Sequence, residues 1–257
     1  MTDSKSLSKE RYNQFADGYV KSETHAKGAD LDRLVELAQP QSSWVVLDVA
    51  TGGGHTALKF APHVSQVIAS DLTPNMLDAA QKFISEQGVT NIDFKLADAE
   101  NLPFDDAMFD LVTCRIAPHH FPDVFKFVQE GFRVLKAGGI LLVQDHVLPD
   151  DQKAARYVDA FEKLRDPSHH RAFAEYEWTG MFLDAGFTVE HTEQLTKRHE
   201  FVSWVARQGC SPEVITRLTV LLKQAPKPAA EWMQAEHIGT DEASFVNHHL
   251  IILGRKV

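Results

Sequence analysis

The stretch Val45-Val46-Leu47-Asp48-Val49-Ala50-Thr51-Gly52-Gly53-Gly54-His55 constrains this chain more than any other. An apolar run passes straight into three consecutive glycines and then into a helical pattern. Glycine allows positive φ and lets a ligand approach the backbone without a Cβ in the way. The helix that follows presents free N–H groups and a partial positive charge. A strand, glycine loop and helix in this order predict a ligand-binding loop at the carboxyl end of a sheet strand.

The rest of the chain supports such a sheet. Short apolar runs at Ser43–Val49, Gln66–Ser70, Ile92–Leu96, Phe109–Cys114 and Gly139–Asp145 alternate with amphipathic stretches at His55–Pro62, Pro74–Glu86 and Pro122–Leu135. Strands apolar through most of their length, separated by helices, are those of parallel βα units covered on both faces. Pro74 and Pro122 suit first helical turns, and Lys136-Ala137-Gly138-Gly139 reads as a helix stop. Further helices are predicted near Asp151–Arg165, Tyr176–Ala185, Phe201–Arg207, Pro212–Gln224 and Ala229–Glu236, with strands at Phe187–Gln194 and Ser244–Leu253. Ligands of such sheets sit beyond the carboxyl ends of the strands. The residues there are Asp48, Asp71, Asp98, Arg115 and Asp145, four of them acidic, which points to a site on that rim.

Composition excludes several classes. The formal charge of −10 comes with no Lys/Arg stripe, which argues against nucleic-acid binding. Neither Cys114 nor Cys210 has metal-type spacing, and 13 histidines form no HExxH motif, so no metal is expected. A polar, mixed-charge Met1–Arg11 and the lack of a long apolar run predict neither signal peptide nor membrane insertion. The expectation is a cytoplasmic protein with a small-molecule partner, and a homodimer is compatible with it.

The glycine loop alone is ambiguous. Gly52-x-Gly54-x-x-Ala57, with Asp71 nineteen positions after Gly52, also fits the dinucleotide fingerprint of an NAD-linked oxidoreductase. Two features separate the readings. Asp48 would repel a pyrophosphate but not a ligand carrying an ammonium and a sulfonium. The run Leu96-Ala97-Asp98-Ala99-Glu100-Asn101-Leu102-Pro103-Phe104 offers an acid and a small residue to an adenine.

Together with Ser70-Asp71-Leu72-Thr73-Pro74-Asn75-Met76-Leu77 and Arg133-Val134-Leu135-Lys136-Ala137-Gly138-Gly139, these motifs resemble class I S-adenosylmethionine (SAM)-dependent methyltransferases. The likeness is to the ubiquinone/menaquinone-biosynthesis group and its bacterial relatives, and spans about Ser43–Asp145. The resemblance implies a doubly wound α/β fold with a seven-stranded, mostly parallel sheet whose last strand is antiparallel. It divides 257 residues into a helical lid (1–40), a SAM-binding core (41–148) and substrate-side helices and last strands (149–257).

It also implies roles. Ala50 and Gly52 would face the methionine part of SAM, and Asp48, Thr51 and Gly54 would complete the cofactor-binding loop. Asp71 would accept the ribose hydroxyls, with Leu72 and Met76 against the adenine. Asp98 and Ala99 would take the adenine amine, and Arg115 would lie beside the sulfonium. Tyr19 would contact the cofactor from the lid, which also carries Phe15 and His25. Ala50 replaces a glycine usual in the family, a change that a negative φ would make harmless. Catalytic candidates are His119, His120, Arg115 and His25. His169, His170 and Arg171 are candidates for holding substrate. The Trp204–Trp232 insertion is expected to form a small core of its own. Methyl transfer would yield S-adenosylhomocysteine (SAH); a non-catalytic SAM-binding protein is the other reading of the same motifs.

Overall fold

The computed structural model describes Lys5 and residues 29–257. Helix α1 (Ala29–Ala38) is followed by β1 (Val45–Val49), α2 (His55–Phe60), β2 (Gln66–Asp71), α3 (Pro74–Glu86), β3 (Ile92–Leu96) and β4 (Phe109–Arg115). Then come α4 (Val124–Val134), β5 (Leu135–Leu148), α5 (Gln152–Arg165), the short β6 (Phe173–Ala174), α6 (Glu175–Asp184) and β7 (Phe187–Glu200). Helices α7 (Phe201–Ala206), α8 (Pro212–Lys223) and α9 (Lys227–Met233) precede β8 (Ser244–Lys256).

The main sheet runs β3-β2-β1-β4-β5-β8-β7, with β6 paired to β5 off this path. Strands β1 to β5 pair in parallel, and β8 is antiparallel to both its neighbours. The seven-stranded, mostly parallel sheet expected from the sequence is therefore present. Its central strands, β1, β4 and β5, read as apolar runs because both faces are covered. Along β5, Ile140 and Leu142 enter the core beneath Leu34, Phe60 and Ile84, while Leu141 and Val143 enter the core with Phe127, Trp178 and Phe182. Period-two alternation thus sends successive apolar residues to opposite helical layers. The chain turns back between β1 and β4, and this reversal is the switch point where ligands of such sheets sit.

Three elements differ from the sequence reading. Helix α4 does end at Val134, but Lys136-Ala137-Gly138-Gly139 is an irregular excursion within β5. Phe109 pairs with Leu135 and Leu111 with Ile140, so the extra residues are accommodated there. Gly138 takes φ 77°, and a Cβ on Gly139 would lie 2.9 Å from the Lys136 carbonyl. Helix α4 starts at Val124, two residues later than Pro122 suggested, because Asp123 caps it by accepting a bond from Lys126 N. Strand β7 extends to Glu200 through a polar run that pairs with β8 along its length. The insertion shares its core with the rest of the domain: Trp204 stacks on Phe161 of α5 at 5.1 Å and packs with Phe245 of β8, alongside Leu218, Leu222 and Met233.

Candidate active site

The carboxyl ends of β1 to β4 open into a cleft. Its glycine-loop side is built by side chains acting on backbone. Asp71, at the end of β2, accepts Gly52 N at 3.1 Å through Oδ2 and Thr73 N at 2.9 Å through Oδ1. Thr51 N donates to Ser70 O at 2.8 Å. Beneath, Asp48 accepts the hydroxyls of Thr51 at 2.6 Å and Thr113 at 2.7 Å. Burial pushes the Asp48 carboxyl up to about 6, against the pull of those threonine hydroxyls. Burial also raises Asp71, partly offset by the backbone donors of Gly52 and Thr73.

Ala50 corrects one expectation. Its φ is 53°, in the region that favours glycine, so the turn holds strain there that a negative φ would have avoided. Across the switch point, Ile116 follows β4 with φ 52° while its N–H donates to Gln144 O at 2.7 Å. A β-branched residue in this region is an outlier, and strained residues of this kind gather at functional sites. Both line the cleft. Nothing in the sequence marks the strain at Ile116, because strain belongs to the fold and not to the residue type.

Leu72, Met76, Ala99 and Asp98 also line the cleft. Asp98 is held by Lys5, whose ammonium lies 2.7 Å from Asp98 Oδ2 and 2.6 Å from Glu100 Oε2. The loop after it is clipped to α4. Arg133 donates to the carbonyls of Leu102 and Phe104 and to Glu130, and Glu130 in turn accepts Leu102 N. This is the physical content of the paired Leu102-Pro103-Phe104 and Arg133 motifs. Gly54, by contrast, does not line the cleft. It is required by packing: its φ is 81°, and a Cβ there would meet Ile84 Cδ1 at 2.7 Å and Ala80 Cβ at 3.3 Å.

Arg115 lies in the cleft wall, but its charge is committed. Its Nη2 is 2.6 Å from Asp30 Oδ2, and its Nε donates to the same oxygen and to Gln144. Burial alone would raise Asp30; the Arg115 charge overrides it and holds the carboxyl below the usual range.

The histidine pair divides between two environments. A short turn, Pro118–His120, directs His120 into the cleft and His119 away from it. His119 is buried against Asp145, which accepts from His119 Nδ1 at 2.6 Å and from its backbone N at 2.7 Å. Behind them His146 stacks on His119 at 4.5 Å and meets His249 at 4.8 Å. Burial pushes Asp145 up to about 7, and drives His119 well below the ordinary histidine value, helped by the neighbouring His120 and His169. Among the described residues no group of three or more His, Cys, Asp or Glu side chains is arranged to hold a metal.

The expected substrate residues fall elsewhere. His169 is buried, bonded through Nε2 to Asp159 at 2.7 Å, with its ring 5.2 Å from that of His119. His170 and Arg171 donate their backbone N–H groups to His119 O at 2.8 and 3.0 Å. The Arg171 side chain then turns into a separate groove with Arg156 and Tyr176, pairs with Glu177, and lies over Phe173. None of the three lines the cleft. Pairing of β6 with β5 pins this segment and sets which side chains face inward. Tyr19 and His25, with Phe15, lie outside the described residues. Sequence reasoning missed Lys5, and it missed Asp166 and Ser168 as partners of His120. Those two stood beside a more conspicuous His–His–Arg run.

No helix among the described residues is long and apolar enough to cross a membrane. Residues 47–143 match the methyltransferase domain family. An uncharacterized methyltransferase, YcgJ of Bacillus subtilis (strain 168), is 37% identical over 211 residues, covering 80% of this chain and 83% of YcgJ. The crystal structure of YcgJ superposes with a TM-score of 0.86, covering 89% of this chain and 98% of that one. UbiE of Pseudomonas putida (strain GB-1), a ubiquinone/menaquinone biosynthesis C-methyltransferase, is 36% identical over 131 residues, covering 49% of this chain and 51% of UbiE. Strand-end acids, a glycine loop at the switch point and this similarity agree: the chain belongs to the class I SAM-dependent methyltransferases.

Proposed function

We propose that this chain moves the methyl group of SAM to a small or medium apolar acceptor carrying one acidic proton, releasing SAH. The observation that carries the reading is the single cleft in which cofactor-type residues and His120 meet. The residues present fit the cofactor. The Asp71 carboxylate lines the cleft as an acceptor suited to ribose hydroxyls, held in place by Gly52 N and Thr73 N. Leu72, Met76 and Ala99 supply apolar contact for an adenine, and Asp98 an acceptor for its amine, shared with Lys5. Ala50, Thr51 and Gly52 present backbone to the methionine part. Bound SAM supplies an electrophilic methyl on a sulfonium.

The acceptor class follows from the remaining wall. Ile116, Ala117, Phe121 and Pro122 are apolar, and His120 stands among them. Arg115 is already neutralised by Asp30, so it is not the partner of an anionic acceptor. The chain's own contribution to methyl transfer is alignment, exclusion of water and reception of a proton. Quinone C-methylation is the nearest activity named among the relatives, and phenols, enols and thiols share its chemistry of one acidic proton.

An acceptor panel with SAM, read as SAH formed, tests this. SAH is expected with neutral phenolic, enolic or thiol acceptors, and His120→Ala should remove most of it. Turnover confined to carboxylate or phosphate acceptors would contradict the acceptor class. Tight SAM binding with no turnover on any acceptor would favour a SAM-binding protein without catalysis.

A further inference from the structure

The geometry assigns Asp166, acting through Ser168, the task of holding His120 with its Nε2 lone pair ready for the acceptor's proton. This rests on the methyltransferase reading and adds two positioning residues to it.

His120 Nδ1 lies 3.0 Å from the Ser168 carbonyl oxygen. A carbonyl can only accept, so Nδ1 carries the hydrogen, and in the neutral ring Nε2 carries the lone pair. The serine hydroxyl stands 3.4 Å from the same Nδ1 and gives its own hydrogen to Asp166 Oδ1 at 2.5 Å. Ser168 N donates to that oxygen at 2.9 Å, and Gln208 donates to Oδ2 at 2.8 Å. Asp166 and Ser168 are both buried. The carboxylate is thereby fixed by three donors, and the serine passes its orientation to the imidazole. The order is aspartate, serine, histidine, then cleft, with no contact between Asp166 and the ligand pocket.

The chemistry balances simply. As the acceptor atom bonds to the methyl carbon, the carbon–sulfur bond breaks and sulfur keeps the electron pair. The acceptor's proton passes to His120 Nε2, and the imidazolium that results sits above a buried negative charge. Burial depresses the basicity of His120; the Asp166 charge and the Ser168 carbonyl oppose it. Other groups face the ring. His119 lies 4.1 Å away on the same turn, Asp145 on β5, and His169 beside Ser168. Asp48 and Arg115 line the cleft in front of it. Asp166 reaches His120 through the Ser168 side chain that lies between them.

The test is two-bond ¹H–¹⁵N NMR of the full-length protein labelled at histidine, with His120 assigned from His120→Gln and exposed His63 as internal reference. In the wild type, above its titration, His120 should show a protonated Nδ1 and an unprotonated Nε2. Asp166→Asn should move its midpoint to lower pH and leave His63 unchanged. Ser168→Ala keeps the carbonyl and removes the hydroxyl, so it should move the midpoint the same way by less; it also serves if Asp166→Asn does not fold. An Nε2–H tautomer in the wild type overturns the proposal, as does an unmoved midpoint in the folded variants. Calorimetry with SAM on the same proteins separates the two readings. A wild type that binds no SAM overturns the methyltransferase assignment and leaves the His120 geometry standing or falling on its own spectrum.

Discussion

Gly54→Ala isolates what the glycine loop owes to packing as distinct from backbone freedom. Gly54 has φ 81° and Gly88 has φ 73°, so alanine at either site is strained in the same way. That strain is roughly 1–2 kcal/mol, offset by about 0.4–1 kcal/mol because alanine restricts the unfolded chain. The surroundings differ. A Cβ on Gly88 meets nothing within 4 Å, whereas on Gly54 it comes to 2.7 Å from Ile84 Cδ1 and 3.3 Å from Ala80 Cβ. Ile84 and Ala80 are 1% and 0% exposed, so α3 must move or Ile84 must leave its rotamer. Overpacking of this kind costs about 1–3 kcal/mol. Gly54→Ala should therefore be less stable than Gly88→Ala by ~1–3 kcal/mol, or roughly 2–12 °C in Tm for a chain of this size. Urea unfolding and thermal melts of both variants read this directly. Equal stabilities would refute the packing argument and return Gly54 to a role in ligand approach.

Ala50 sits at φ 53° in the same loop, so Ala50→Gly should leave stability unchanged or raise it by up to about 1 kcal/mol; a loss beyond that would mean the methyl packs better than the strain argument allows. His249 gives the pH prediction. Burial lowers its pKa to about 4, while the unfolded value is near 6.5. Its neutral form therefore supports the fold above pH ~6.5, and this support is lost as pH falls toward 4, by about 2 kcal/mol already at pH 5. In His249→Asn the loss of stability between pH 7 and pH 5 should shrink by that amount in urea titrations. An unchanged difference would show that His249 protonates without penalty in the folded state.

Much of this architecture is legible in the sequence because both faces of the sheet are covered. Apolar runs such as Val45–Val49 and Phe109–Arg115 then mark strands without ambiguity, and the acids that end them mark the rim. The polar half of β7 carries no such mark, since Leu195–Glu200 is held by backbone pairing at an edge. Lys136–Gly139 misleads in the other direction: glycines that stop a helix and glycines that accommodate a strand irregularity are written alike. In the site, the cleft-lining acids Asp71 and Asp98 are readable from their place at the end of a strand. The division of labour between His119 and His120 is not, because it depends on a three-residue turn and on Asp145 from a strand 26 positions away. The same holds for Arg115, whose partner Asp30 lies 85 positions earlier.

Calorimetric titration with SAM, SAH and NAD, repeated on Asp71→Ala, tests the central claim most directly. The account predicts micromolar binding of SAM and SAH, none of NAD, and a loss of roughly 100-fold or more in Asp71→Ala, since hydrogen bonds to a charged group contribute about 1.5–3 kcal/mol each. Binding of NAD without SAM, or SAM affinity untouched by the loss of Asp71, would contradict it.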